Sequence, residues 1–171
     1  MTSIVSAKIE DVPLLAEMGK VSFIRSHGHS ATQDVITEYV TEKYSHDAVR
    51  AELVNAAGIC NIIYHDHRPA GYSKIVLSVP HANIHATGIT KLERLYLLEE
   101  FYGQKLGYEL LRYNISLSQK KGDTGMWLFV WEGNQRAVRF YKKAGFSVIG
   151  SHDFKLTETH SNPNYQMLLT Y

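Results

Sequence analysis

The sequence predicts an α/β domain, a mixed β-sheet of about seven strands flanked by helices. Three observations predict it. Runs of strand character and runs of helical period follow one another as βααα-ββ-β-α-β-α-ββ, the order of a sheet with helices packed on it. One run, Trp127–Trp131, is apolar on both faces, as expected of a central strand covered on two sides. The 171 residues suffice for one substantial core, and no repeat, low-complexity segment or linker divides them. The expectation is therefore one domain, 1–171.

Composition narrows the function classes. Hydrophobic residues make up 44% and charged residues 20%, values of an ordinary globular chain. A net charge of +1 without a basic run gives no positive field for nucleic-acid binding. Cys60 is the only cysteine, so no intrachain disulfide forms and a reducing cytoplasmic location is expected. The apolar neighbours of Cys60 predict an inert thiol. The N-terminus does not read as a signal peptide, and no stretch is long and apolar enough to span a membrane.

Ser3–Ile9 predicts an edge strand. Glu10-Asp11 opens a helix that tolerates Pro13 in its first turn and turns Leu14, Leu15, Met18 and Val21 inward. Arg25–Ala31 lacks periodicity and reads as a loop. Thr32 caps a second helix, Gln33–Tyr44, and Ser45 a third, His46–Ala57, ended by Gly58. Ile59–His65 and Gly71–Val79 form a hairpin across Asp66–Ala70. Thr87–Glu99 contains the next strand, and Phe101–Gly107 leads into a helix reaching about Gln119. Leu106, Leu110, Tyr113 and Leu117 form its buried stripe. After Trp127–Trp131, Asn134 caps a helix with Ala137, Phe140, Tyr141 and Ala144 on one stripe, and Gly145 ends it in the left-handed region. Phe146–Lys155 and Tyr165–Tyr171 finish as strands joined by a polar loop, Glu158–Asn164.

The stretch Trp127–Phe146 carries a long, specific pattern: a hydrophobic strand, then Asn134, Arg136, Ala137, Phe140, Tyr141, Gly145 and Phe146. It resembles the acetyl-coenzyme A binding end of the GNAT acetyltransferase superfamily. The resemblance is strongest over Leu92–Gly150. The segment Phe23–Leu53, the strand Leu92–Leu98 and the turn Phe101–Gly107 are most similar to the PaiA-like polyamine N-acetyltransferases. It implies a mostly antiparallel sheet and acetyl transfer from acetyl-CoA to an amine by direct attack in a ternary complex.

A strand running through a Gly-containing turn into a helix is an anion site, because the first helical N–H groups lack partners and the dipole is positive there. Tyr102, Gly103, Gln104, Lys105, Leu106, Gly107 and Tyr108 are accordingly the expected pyrophosphate loop. The superfamily pattern has a polar residue where this chain has Tyr102 and a glycine where it has Lys105. Lys105 is compatible with binding if its φ stays negative. The resemblance further assigns the backbone of Leu95, Tyr96 and Leu97 to the pantetheine arm, where the strand splays at a bulge. It gives Asn134 and Lys143 to the cofactor as well.

For chemistry, the amine must lose a proton, the carbonyl must be polarised and the leaving thiolate must be protonated. Tyr141 matches the superfamily tyrosine that donates a proton or hydrogen bond to the sulfur; from its stripe alone it reads first as a core tyrosine. Glu93 is the expected general base, with a pKa raised by burial; a structural pairing with Arg94 or another cation is the other reading. Glu132 is a second choice. His27-Gly28-His29 and His65-Asp66-His67 lie in loops without a third ligand, so no metal is expected; His27 and His29 are placed at the acceptor entrance. Asp34, Glu38 and Glu42 share a helix face, either solvated or an acidic wall for a cationic substrate; Glu38, Glu42 and Asp47 either attract a polyamine or face water. Acceptor classes left open are a small amine or a protein amine. A non-catalytic acetyl-CoA-binding module is the rival reading, and a homodimer using the Tyr165–Tyr171 edge a further expectation.

Overall fold

The computed structural model describes all residues, Met1–Tyr171. Seven strands form one sheet: β1 (Thr2–Ser6), β2 (Gly58–His65), β3 (Arg68–Val76), β4 (Ile89–Leu97), β5 (Gly125–Trp131), β6 (Ser147–Lys155) and β7 (Ser161–Thr170). Their order is β1-β2-β3-β4-β5-β7-β6. All neighbours run antiparallel except β4 and β5. The mixed, mostly antiparallel sheet is as expected. Helices α1 (Val12–His27), α2 (Gln33–Lys43) and α3 (His46–Val54) cover one face, and α4 (Leu106–Lys120) and α5 (Gln135–Lys143) the other.

Alternation along β5 fills both sides. Met126, Leu128 and Val130 pack with Leu111 of α4 and Val138 and Tyr141 of α5. Trp127 packs on the other face with Ile84, beneath the loop after β3. The α5 stripe differs from its expected form: Val138 and Tyr141 are its buried residues, while Ala137, Phe140 and Ala144 are only partly covered.

Several boundaries moved for local reasons. Arg25, Ser26 and His27 continue α1 instead of opening a loop, because Phe23 and His27 stack one turn apart with centroids 4.5 Å from each other. Helix α3 stops at Val54, and Gly58 begins β2 instead of ending the helix. The β2–β3 turn is only Asp66-His67, both at positive φ, so Arg68–Ala70 belong to β3; Pro69 falls where the register shifts, a place that tolerates a missing donor. Ser45 caps α3 through Ala48 N at 3.1 Å, but Thr32 makes no side-chain cap. Ser161–Asn164, read as loop, pair with β6. Strand β7 lies inside the sheet and β1 and β6 form its edges, so Tyr165–Tyr171 offer no edge for a dimer.

Two features position the site. Strand β4 pairs with β5 only over Ile89–Lys91 against Gly125–Trp127, and from Leu92 onward the strands part. On its other side β4 stays paired with β3, but the register skips one residue: Ile75 faces Leu92, Lys74 faces Arg94, and Glu93 is the extra residue of a bulge. The closed end of the resulting V is pinned by Asp123, 5% exposed, which accepts from Thr90 Oγ1 at 2.7 Å and from Ser78 N and Oγ at 2.9 Å.

Candidate active site

Between the parted strands lies a cleft of about 450 Å3, reaching both faces of the sheet. On the α4/α5 face it is bounded by Leu95, Leu97, Val130, Tyr102 and Tyr141. The slot side of β4 beyond Lys91 has no strand partner, so backbone amide and carbonyl groups there are open to a ligand with amides of its own. At the mouth, the N–H groups of Gly103, Gln104 and Lys105 have no protein acceptor. Those of Leu106 and Gly107 open α4, where no residue lies four positions earlier within the helix. Gly103 has φ +78° and Lys105 φ +63°. This corrects the expectation that Lys105 keeps a negative φ: it takes the left-handed conformation that a glycine holds without strain. The loop is nevertheless formed, with its N–H groups free. Gly107 is buried against Leu97 and Phe140, where a Cβ would make only ordinary contact.

Helix α5 brings three groups to the slot. Asn134 Oδ1 caps the helix by accepting from Ala137 N at 3.2 Å, and its amide nitrogen has no protein partner. The Arg136 guanidinium lies 3.7 Å from the centre of the Tyr102 ring. Tyr141 is 8% exposed, its hydroxyl has no protein hydrogen bond, and burial pushes its phenol well above the ordinary range. It is therefore a protonated donor at any physiological pH.

The opposite face of the cleft differs in character. Phe23, His27, Tyr39, Trp131 and Phe154 wall it. Burial pulls the His27 imidazole down to about 4, against a hydrogen bond with the Phe23 backbone, so the ring is neutral. The floor is an ion network. Arg94 clasps Glu52 through contacts of 2.5 and 2.9 Å, and Lys74 lies 3.3 Å from Glu52 and 2.7 Å from Glu93. Lys91 is 3.6 Å from Glu93. Burial raises the Glu93 carboxyl, but the hydrogen bond and charge of Lys74, with the charges of Lys91 and Arg94, outweigh it and the net shift is downward. The expected upward shift is thereby corrected: Glu93 pairs with "another cation", Lys74, and Arg94 is taken by Glu52.

Comparison with known proteins gives this arrangement a context. Residues 28–146 match the model of the acetyltransferase (GNAT) family. The chain belongs to the GNAT family. A PaiA N-acetyltransferase from Thermoplasma acidophilum, solved in complex with coenzyme A, superposes with a TM-score of 0.80 at 26% identity, covering 100% of this chain and 99% of that one. A spermidine N(1)-acetyltransferase of Thermoplasma acidophilum is 27% identical over 144 residues, 82% of this chain and 84% of its own length. An N-acetyltransferase in the pepI 3' region of Lactobacillus delbrueckii subsp. lactis is 23% identical over 154 residues, 90% of this chain and 88% of its own.

Within this GNAT chain, Glu93, Leu95, Tyr96, Leu97, Tyr102, Asn134 and Tyr141 all line the cleft. Gly103, Gln104 and Lys105 are exposed at its mouth, as is Tyr108 in the first turn of α4. Lys143 stands exposed at the far end of α5, outside the cleft lining. Glu132 does not line the cleft either. Asp34, Glu38, Glu42 and Asp47 are all exposed and none reaches it, so no acidic wall forms. His29 is exposed and outside the lining, whereas His27 is in it. Burial raises the Cys60 thiol to about 11, against the pull of Lys74, which leaves it protonated and unreactive. Sequence reasoning missed Arg136, although it stood in the motif, and missed Asn162 and Asn164, which line the cleft from β7. The Asn-x-Asn alternation at the start of β7 was the available signal.

Proposed function

We propose that this protein transfers the acetyl group of acetyl-CoA to the nitrogen of a small primary amine, by direct attack with both substrates bound. The observation that carries the reading is the parting of β4 from β5 after Lys91, with free N–H groups at one end of the slot and a free phenol inside it. In this reading the Gly103–Gly107 amides take the pyrophosphate. Arg136 and Tyr102 flank it, and Leu95–Leu97 hold the pantetheine arm by backbone pairing. Asn134 offers its free amide nitrogen to the same arm.

The N–C bond forms as the C–S bond breaks. The sulfur leaves as a thiolate with the bonding pair, stabilised by a hydrogen bond donated by the Tyr141 hydroxyl, which keeps its proton; the two protons that the ammonium loses in becoming an amide pass to water beside Glu93. Glu93 is held ionised by Lys74, so its part is to receive and orient the incoming ammonium, with water completing the protons' exit. Cys60 supports direct attack, since nothing activates it as a nucleophile.

The finer reading of a polyamine acceptor draws on the spermidine relative; the exposed Glu38, Glu42 and Asp47 lend it nothing. The test is thiol release from acetyl-CoA with a panel of primary amines. Amine-dependent release, slowed about tenfold or more in Tyr141→Phe with coenzyme A binding retained, is the expected result. Tight acetyl-CoA binding without release for any amine would favour a non-catalytic module and overturn the reading.

A further inference from the structure

The acceptor half of the cleft has more specific chemistry than a generic amine requires. We propose that the acceptor is a small amine that also carries a carboxylate, and that Lys91 with the polar edge of β7 selects it. This rests on the N-acetyltransferase reading above, whose acceptor it names by class.

Three observations converge. First, buried polar atoms in this half lack partners. Asn162 is 3% exposed, Asn164 6% and Ser22 5%. Asn162 Nδ2, Asn164 Oδ1 and Ser22 Oγ are buried without a hydrogen-bond partner, and all three residues line the cleft. Asn162 is oriented by His160, whose Nε2 lies 3.0 Å from Asn162 Oδ1, so its amide nitrogen is turned away as a donor. Buried polar groups are almost always paired, and a cluster of unpaired ones in a cleft marks where a ligand supplies the missing partners. Asn162 Nδ2 and Ser22 Oγ offer donors to a carboxylate, and Asn164 Oδ1 an acceptor to the amine.

Second, the charges do not balance. Lys74, Lys91 and Arg94 share the floor with only two carboxylates, Glu52 and Glu93, and no other Asp or Glu lines the cleft. Glu52 serves Arg94 and Lys74, and Glu93 is closest to Lys74. Lys91 has only a share of Glu93, its ammonium 3.6 Å from the oxygen that Lys74 leaves free, so three cations divide two carboxylates. Its ammonium lies 5.3 Å from the centre of the Trp127 ring and 5.9 Å from that of Phe129. These rings hold it in place without neutralising it. Lys43 adds a further cation to the lining, paired outward with Glu42. A polycation would enter against this excess, whereas a carboxylate would neutralise it.

Third, the pocket is closed on the far side. The turn between β6 and β7 docks on the α1–α2 connection, where His160 Nε2 lies 3.1 Å from the Ser30 carbonyl oxygen. Leu156 is buried with Phe23 and Ile36. A polypeptide acceptor would need this roof open. The aromatic walls suit an acceptor with a flat or apolar body.

The test uses the intact protein and matched pairs of amines differing by the carboxylate: tyrosine against tyramine, and 4-aminobutanoate against butylamine and 1,4-diaminobutane, with spermidine as the polycation. Two readouts are taken, kcat/KM from thiol release and dissociation constants from quenching of tryptophan fluorescence with coenzyme A bound. At least one carboxylate-bearing amine is expected to exceed its matched partner and spermidine tenfold in both. Lys91→Gln should collapse that ratio tenfold, mainly through KM, and Lys91→Arg should restore most of it. Spermidine or the bare amines binding and reacting as well as the carboxylates would overturn the proposal, as would a Lys91→Gln ratio equal to wild type. If no amine is turned over, the transferase reading fails, and the binding ratio still decides the acceptor's class.

Discussion

Removing one oxygen atom, by Tyr141→Phe, separates binding from chemistry. The Tyr141 hydroxyl has no hydrogen-bond partner in the protein and the ring is 8% exposed, so its loss strands no buried group. Stability should shift by less than about 1 kcal/mol. Against a departing thiolate the phenol is a charge-assisted donor, worth about 1.5–3 kcal/mol. At 1.36 kcal/mol per tenfold, that is a fall in kcat of about 10- to 150-fold. The interaction strengthens as charge develops on sulfur, so the loss should fall on kcat, with the KM for acetyl-CoA near wild type. Burial holds the phenol protonated, so the wild-type to variant ratio should stay flat from about pH 6 to 9, below the ordinary phenol pKa of about 10. The assay is initial-rate thiol release at saturating amine, repeated across that pH range. A kcat within twofold of wild type, with the cofactor still bound, would remove Tyr141 from the mechanism.

Lys105→Gly should raise the melting temperature. It relieves a left-handed backbone cost of about 1–2 kcal/mol, partly offset by about 0.5–1 kcal/mol of glycine entropy, and calorimetric coenzyme A binding should be no weaker. Gly71→Ala should destabilise by about 1–3 kcal/mol in urea unfolding, because a Cβ there would overlap the Tyr96 carbonyl oxygen on the neighbouring strand. The His27 imidazole is held down at about 4 by burial, so the unfolded chain binds its proton first. Stability is whole above the unfolded pKa of about 6.5 and falls by about 3 kcal/mol as pH drops to 4. In His27→Phe that part of the pH slope should vanish from denaturant titrations.

The sheet, the helices and the α5 side of the cleft were legible because their patterns are local. Val130, Asn134, Tyr141 and Gly145 carry a strand, a cap, a stripe and a stop in one continuous stretch, and the structure places each accordingly. The opposite half of the cleft, where we propose the acceptor binds, was not legible. Its polar edge, Asn162 and Asn164, looks like a loop because inward residues of a strand are ordinarily apolar, and here they face a cleft. The sign of the Glu93 shift depends on Lys74, nineteen positions earlier and brought alongside only by β3 pairing. The left-handed Lys105 is marked only by the glycine that the superfamily pattern has there, since a lysine by itself carries no local sign of positive φ.

The extra residue at Glu93 also governs parity. Before it, Lys91 faces the aromatic side and Leu92 the α4/α5 core; after it, Arg94 and Tyr96 face the first and Leu95 and Leu97 the second. Excising Glu93 would therefore return the segment to strict odd–even order with every other side chain still on its own side. It would also remove the bulge against β3 that coincides with the departure of β4 from β5, and with it a carboxylate partner of Lys74. One inserted residue thus lets the strand keep its inside–outside code on both sides of the place where the sheet opens.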